Sequence, residues 1–316
     1  MDSESRQSEA ETAPRTTTQF APEVAPGFEI RPFRTFEDYK DCVRLQEETW
    51  GAGFSERVSL AILKVSQRLG GVASGAYDDA GLAGFVFGMT GWEDGAPVHW
   101  SDMLAVRRDL RNSGLGRTLK WHQRAVLLER GVRKMYWTFD PLVSRNGHLN
   151  LNRLGAVVRE YAVEMYGQTD SPLHVGIGTD RFVPVWQMDS EPVRFRWEEE
   201  RLRRVRDADA GGAPAAPTGV GEASEARADA APTALGFEIH GGLPCPTTPS
   251  LDRADPVLAV CIPGSIVEVQ EGSLEVAVAW RAATRAVFSE YLARGYEVRE
   301  LLRGQPCSRY LMYRNS

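Results

Sequence analysis

Residues 99–131 read HWSDMLAVRRDLRNSGLGRTLKWHQRAVLLERG. Met103, Leu104, Ala105 and Val106 form a short apolar run suited to a buried strand that begins near Trp100. A basic loop follows, with Arg107, Arg108 and Arg111, then Ser113-Gly114-Leu115-Gly116. Glycine there permits a tight turn and lets a ligand approach the backbone without a Cβ in the way. Leu115, Leu119, His122 and Val126 predict a helix that runs to Arg130 and is closed by Gly131. Such a helix points unsatisfied N–H groups, and the positive end of its dipole, at the loop. A strand feeding that junction suits a phosphate or pyrophosphate, with Arg111 and Arg117 adding charge-assisted hydrogen bonds. His122, on the apolar stripe, is expected to be a hydrogen-bonded core residue rather than a catalytic one.

Two nucleotide-binding loops are excluded by spacing. A dinucleotide fingerprint needs a third glycine where Leu119 stands, and a Walker loop needs Gly-Lys-Ser/Thr where Gly116-Arg117-Thr118 stands. What does match is Arg111-x-x-Gly114-x-Gly116 between a strand and a helix. It resembles the acyl-CoA pyrophosphate loop of the GNAT N-acyltransferases.

The elements upstream support that resemblance. Phe28 to Phe33 alternate like an opening strand, and Thr35 with Asp38 forms a capping box at the start of a helix. A second helix is expected over 55–69, with Val58, Ile62 and Val65 as its buried stripe. Two strands, 72–77 and 82–90, are joined by the turn Asp78-Asp79-Ala80-Gly81. The order β-α-α-β-β-β before the glycine loop is that of a GNAT fold.

Composition sets the outer limits. The chain has 316 residues, about two domains by the length prior, and its 42% hydrophobic content allows a sizeable core. A net charge of −6 without any basic block argues against nucleic-acid binding. Cys42, Cys245, Cys261 and Cys307 are scattered, and neither they nor the five histidines have metal-ligand spacing, so no metal is expected. Residues 1–26 are polar and proline-bearing, without a signal-peptide core, and no run is long enough to span a membrane. A cytoplasmic protein with a disordered tail over 1–26 is expected.

A second stretch, 137–167, reads WTFDPLVSRNGHLNLNRLGAVVREYAVEMYG. Together with ML-x-V and R-x-x-G-x-G-R-x-LK it resembles one subgroup of the GNAT acyltransferases. That subgroup includes succinyl-CoA-dependent amino-acid N-succinyltransferases. The resemblance implies a strand up to Asp140 followed by the fourth helix, with Asn146, Asn150, Asn152 and Arg153 near the helix start and Leu149, Leu154 and Val158 buried. It also implies a helix tyrosine that protonates the leaving thiolate. The family offset places Arg159 there, which leaves Tyr161 as the nearest candidate, and a packed aromatic as its plainer reading.

The chain beyond 178 divides by composition. A strand is expected over 179–186, with Pro184 marking an edge or a bulge. A charged connector covers 191–206, where Glu199 and Arg203 form an i,i+4 pair, and an Ala, Gly and Pro-rich disordered linker covers 207–236. The remainder, 237–316, reads as a strand over 257–263, a helix over 273–294 and two strands, a small unit too short for its own core. It echoes the back half of a GNAT domain and is expected to dock on the first domain, 27–190.

The fold class expected is therefore mixed α/β, a GNAT-type central mixed sheet flanked by helices with a small C-terminal βαββ unit. The activity the resemblance implies is transfer of an acetyl or succinyl group from acyl-CoA to a small amine, an amino acid above all. The acyl-CoA would lie on Leu104, Ala105, Val106, Arg111, Asn112, Ser113, Gly114, Leu115, Gly116, Arg117 and Asn152. Asp102, Asp140 and Tyr161 are the acid–base candidates, with Glu93 a third possible base; Asn146, Arg281 and Arg285 are the substrate-binding candidates, the arginines for a carboxylate. Another amine, such as an aminoglycoside, a polyamine or a protein N-terminus, is the runner-up, and a homodimer is left open. An acyl-CoA-binding protein without turnover is the alternative of a different class.

Overall fold

All but two of the strands enter one sheet. The structure, a computed structural model, describes residues 27–167, 176–209 and 221–315, so the expected tail over 1–26 lies outside the described residues. In chain order the first elements are β1 (Glu29–Pro32), α1 (Phe36–Trp50), α2 (Leu60–Arg68), β2 (Val72–Asp78), β3 (Gly81–Glu93) and β4 (Ala96–Val106). A 3-10 turn, Arg108–Leu110, leads to α3 (Leu115–Glu129) and β5 (Lys134–Tyr136). Next come α4 (Ser144–Gly147), π-helical turns over His148–Arg153, β6 (Val157–Ala162), β7 (Arg181–Gln187) and α5 (Glu191–Asp209). The rest is α6 (Gly221–Ala230), β8 (Thr233–Leu235), β9 (Phe237–His240), β10 (Leu243–Pro246) and β11 (Val257–Pro263). It ends with α7 (Ile266–Gly272), α8 (Leu274–Ala293), β12 (Tyr296–Leu302) and β13 (Cys307–Arg314).

Eleven strands form one mixed sheet in the order β1-β2-β3-β4-β5-β7-β6-β12-β13-β11-β8, and β9 and β10 form a separate hairpin. Helices α1 and α2 cover one face, where Phe33, Tyr39, Leu45 and Leu63 pack on Phe85, Phe87 and Met103. The opposite face carries α3 and α8. Trp121 of α3 meets Trp186 of β7 at 5.2 Å between ring centroids, and Phe288 of α8 meets Phe182 of the same strand at 4.6 Å. Residues i and i+4 of a strand share a face, so one strand anchors both helices. The mixed α/β architecture is the expected one, with helices flanking a central sheet that C-terminal strands extend.

Local departures have local causes. Helix α1 keeps the capping box, with Thr35 accepting from the Asp38 amide and Asp38 from the Thr35 amide. Helix α2 starts later, on the Ser59 cap, and buries Leu63 and Ser66, while Ile62 and Val65 are exposed instead of forming its buried stripe. The expected fourth helix is cut to residues 144–153, and the paired valines Val157 and Val158 open strand β6. β-branched residues fit a pleated surface better than a helix. Strand β7 is central, between β5 and β6, and Pro184 is accommodated where the β6 register shifts around Arg159. The charged connector is helix α5, in which Arg203 bonds Glu200 and Arg196 bonds Glu199, rather than Glu199 pairing with Arg203. The expected unstructured linker holds helix α6 and strand β8, with 210–220 outside the described residues. Six of the ten residues of α6, GEASEARADA, are alanine or glutamate, strong helix formers.

Candidate functional site

Strand β4 carries the site because its two edges differ. On one edge it pairs with β3 along its length, with a register shift between Phe87↔Met103 and Gly88↔Ser101 that leaves Asp102 as the extra residue of a bulge. On the other edge it pairs in parallel with β5 only at Val98, His99 and Trp100. Beyond Trp100↔Tyr136 the two strands part, and the chain after β5 turns to β7, where Phe139 bridges Phe182. Residues 101–106 thus present an edge with no partner strand among the described residues. An extended ligand can hydrogen-bond to such an edge.

The glycine loop closes one end of that opening. Asn112 and Gly114 have positive φ, 69° and 90°, so the loop folds back on itself before α3. Gly114 is the N-cap, and the first helical amide bonded back is that of Thr118, to the Gly114 carbonyl at 3.1 Å. The amides of Gly116 and Arg117 precede it, in the turn where a helix has no i−4 carbonyl to offer. A Cβ on Gly116 would meet Leu104 Cδ2 at 3.2 Å, so the helix start lies directly over β4. No acidic residue occupies the first turn of α3, although the dipole would favour one there. Arg111, Asn112 and Ser113 are exposed around it, and Arg145 donates to Asn112 Oδ1 at 3.4 Å.

Arg117 behaves differently from Arg111. Its guanidinium turns onto α5, with Nε 3.1 Å from Glu200 Oε1, and burial lowers its pKa to about 10. Glu200 is itself 5% exposed and accepts from Arg203 and Arg204, while Arg204 also donates to Thr118 Oγ1 at 2.8 Å. The Arg117 side chain is thereby held against α5. Asn152 is also withdrawn: its Oδ1 accepts the Leu301 amide at 3.0 Å, joining the π-helical turns to β12. Asn146 sits half-buried in α4.

The acid–base candidates separate clearly. Asp102 is exposed on the bulge at the opening, and desolvation by its surroundings raises its carboxyl pKa above the ordinary value. Asp140 is 5% exposed and accepts both ends of Arg281, at 3.0 and 2.7 Å, as well as the Leu142 amide. Tyr161 lies on β6, stacked on Phe288, and donates to Asp180 Oδ2 at 2.7 Å. Burial pushes its phenol pKa up, reinforced by Asp180. Asp140 and Tyr161 are thus both held by internal bonds. Arg281, only 3% exposed, pairs with Asp140, and Arg285 bonds Asp180 at 2.8 Å through two nitrogens. Glu93 accepts from Lys134 and Tyr136 at the far end of β4, about 30 Å of strand from the glycine loop. His122 meets Ser74 Oγ at 3.2 Å, and burial lowers its pKa to about 4.

One group escaped the sequence reading. Lys120 of α3 is buried, with Nζ on Ser101 Oγ at 2.6 Å. Its sequence signals were rarity, as one of four lysines among 37 Lys and Arg residues, and its place as the last residue of the R-x-x-G-x-G-R-x-LK pattern. Among the described residues no cluster of His, Cys, Asp or Glu could hold a metal ion, and no helix is long and apolar enough to cross a membrane.

Comparison with known proteins finds a family match over part of the chain. The acetyltransferase (GNAT) family matches residues 34–148, from the start of α1 through the glycine loop to the π-helical turns. No curated protein matches the chain. Among solved structures, the ribosomal-protein-S18-alanine N-acetyltransferase from Escherichia coli is 18% identical, over 52% of this chain and 97% of that one, with a TM-score of 0.41. A putative acetyltransferase from Salmonella typhimurium, solved with its cofactor acetyl-CoA, is 17% identical over 52% of this chain and 96% of that one, with a TM-score of 0.42. Naa50 from Arabidopsis thaliana, in complex with a bisubstrate analogue, is 14% identical over 50% and 97% of the two chains, with a TM-score of 0.40.

Proposed function

We propose that the chain, whose residues 34–148 match the acetyltransferase (GNAT) family, is an acyl-CoA-dependent N-acyltransferase acting on the amine of a small molecule, an amino acid above all. The observation that carries this reading is the unpaired edge of β4 beyond Trp100, running straight into the glycine loop at the start of α3. An edge of that kind suits an extended pantetheine arm, and the helix start suits its pyrophosphate. Arg111 and the amides of Gly116 and Arg117 would hold the phosphates. N–H groups of Leu104, Ala105 and Val106 on the free edge would polarise the thioester carbonyl as charge develops on its oxygen.

The neutral amine attacks the carbonyl carbon, a C–N bond forms, and the C–S bond breaks with its electron pair leaving on sulfur. Asp102, at the bulge, takes the amine proton directly or through one water. Its raised pKa strengthens it as a base. The acyl group is acetyl or succinyl. The test is thiol release from acetyl-CoA and succinyl-CoA, each with a panel of D- and L-amino acids and simple amines. Release with one of these pairs is expected. Tight CoA binding without release from any pair would instead favour a CoA-binding protein without turnover, a reading that the engagement of Tyr161 by Asp180 also supports.

A further inference from the structure

Lys120 lies on α3 just past the glycine loop and is 6% exposed. Its ammonium stands where β4 and β5 part. Trp100 and Tyr136 are the last paired residues of these strands, and Ser101 and Trp137 are the first beyond them. Nζ donates to Ser101 Oγ at 2.6 Å and lies 4.1 Å from the centroid of the Trp137 ring. Its other contacts are long, 3.5 Å to Gln123 Oε1 and 3.9 Å to Met135 Sδ. None of these partners is a carboxylate, so the charge is buried with only weak acceptors for two of its three N–H bonds.

The surroundings hold it there in one protonation pattern. Thr90 Oγ1 donates to the Gly70 carbonyl, so it accepts from His99 Nδ1 at 3.1 Å. The far ring nitrogen of His99 then accepts from Gln123 Nε2 at 3.0 Å, and Gln123 Oε1 accepts from Ser101 Oγ at 2.9 Å. Ser101 Oγ is left with lone pairs for Lys120. His99 is the titratable neighbour, and burial keeps it neutral, its pKa lowered to about 3. Burial also lowers the ammonium of Lys120 to about 7, without help from any charge. An apolar side chain would fill the same space at no such cost.

We propose that Lys120 meets the sulfur of the bound acyl-CoA and gives it a proton as the carbon–sulfur bond breaks. This rests on the acyl-CoA reading of the opening. It supplies the acid that Tyr161, bonded to Asp180, does not. The amine proton goes to Asp102 and the Nζ proton goes to sulfur. After the amide and the thiol leave, Lys120 regains a proton from solvent and Asp102 returns one. Atoms and charge balance without another reactant.

The test uses the full chain and follows acyl transfer against pH, with Kd for CoA measured alongside. Wild-type kcat should fall as pH rises through the Lys120 pKa of about 7, because the ammonium is the acid form. Lys120→Met should lack that falling limb and lose kcat about 100-fold, with Kd for CoA changed less than about threefold. Lys120→Arg keeps the charge but gives up its proton poorly, so it should bind CoA as wild type does, lose kcat and also lack the limb. A falling limb kept in Lys120→Met, or wild-type kcat in Lys120→Arg, would overturn the proposal. If Lys120→Met does not fold, Lys120→Arg decides on both readouts. Failure of wild type to bind CoA would refute the acyl-CoA reading itself, whereas CoA binding without turnover would refute proton transfer by Lys120.

Discussion

Arg281 of α8 donates both ends of its guanidinium to Asp140, 141 residues earlier in the chain, with neither residue more than 5% exposed. The same arginine donates through Nε to the Ile177 carbonyl at 3.0 Å. One side chain therefore pins the exit of β5 and the approach to β7 beneath α8. Removing one partner leaves the other charge buried without its main counter-charge, only Arg181 remaining 3.6 Å from Asp140 as a weaker ion pair, so Asp140→Ala or Arg281→Met should each cost about 3 kcal/mol. The double variant Asp140→Leu/Arg281→Met should be less destabilised than the sum of the two. Urea unfolding of the three proteins measures it, and additive losses would contradict a closed pair.

A second pair sets part of the pH dependence of stability. Arg31 donates to both oxygens of Asp38, at 2.8 and 3.0 Å, and the Arg34 and Thr35 amides donate to the same carboxylate. The guanidinium, helped by those amides, holds the Asp38 carboxyl well below the usual carboxylate range, against the opposing effect of burial. A carboxylate depressed in the folded state stabilises fully above its unfolded pKa, about 3.9, and loses that contribution as pH falls toward the folded value. Asp38→Asn should therefore cost about 2 kcal/mol at pH 7 and progressively less below pH ~4. Thermal unfolding of both proteins across this range would show a constant gap if the pair were unimportant.

The glycine loop predicts a split between binding and turnover. Gly114 holds φ at 90°, so Gly114→Ala strains the turn by about 1 kcal/mol and displaces the amides meant for phosphate. Arg111→Ala removes the exposed guanidinium. Both should raise Kd for CoA, by about 10-fold for Arg111→Ala, while kcat at saturation changes little. Calorimetric titration with CoA at two salt concentrations would also show a shallower salt dependence for Arg111→Ala.

Asp102→Asn should reduce kcat/KM about 100-fold or more without weakening CoA binding. The base works as the carboxylate, so wild-type kcat/KM should rise with pH through the Asp102 pKa, which partial desolvation places above the ordinary aspartate value. The variant should lack that rising limb. A profile of unchanged shape would assign the base elsewhere.

What could be read before the structure follows from the range of each interaction. The strand, loop and helix over 99–131 depend on neighbouring residues: the helix appears within one residue of its expected ends, and the strand ends at Val106 as expected but begins four residues earlier, at Ala96. Asp140 and Arg281 each looked available because the partner of each lies in the other half of the chain. Residues 157–162 took helix from the family pattern, although Val157 and Val158 favoured the strand that forms. Lys120 was hidden because α3 is packed on more than its apolar stripe, with Lys120, Gln123 and Arg124 all buried. Periodicity marks one buried face and says nothing of a second.

The way the large sheet ends has a practical bearing. Its two outermost strands are β1, four residues long, and β8, three, so few backbone amides and carbonyls are left open to a foreign strand. Strand β6 would be an outermost strand if the chain stopped after α5, and it has six residues, among them Val157, Val158 and Tyr161. Here it is sheltered by β12, through the Val158↔Val298 pair and the Arg159–Glu297 ion pair beside it. A shortened protein ending at residue 209 would keep every group assigned to acyl transfer, yet uncover an adhesive border. Its expected fate is precipitation or self-association, visible by light scattering, rather than a smaller working enzyme.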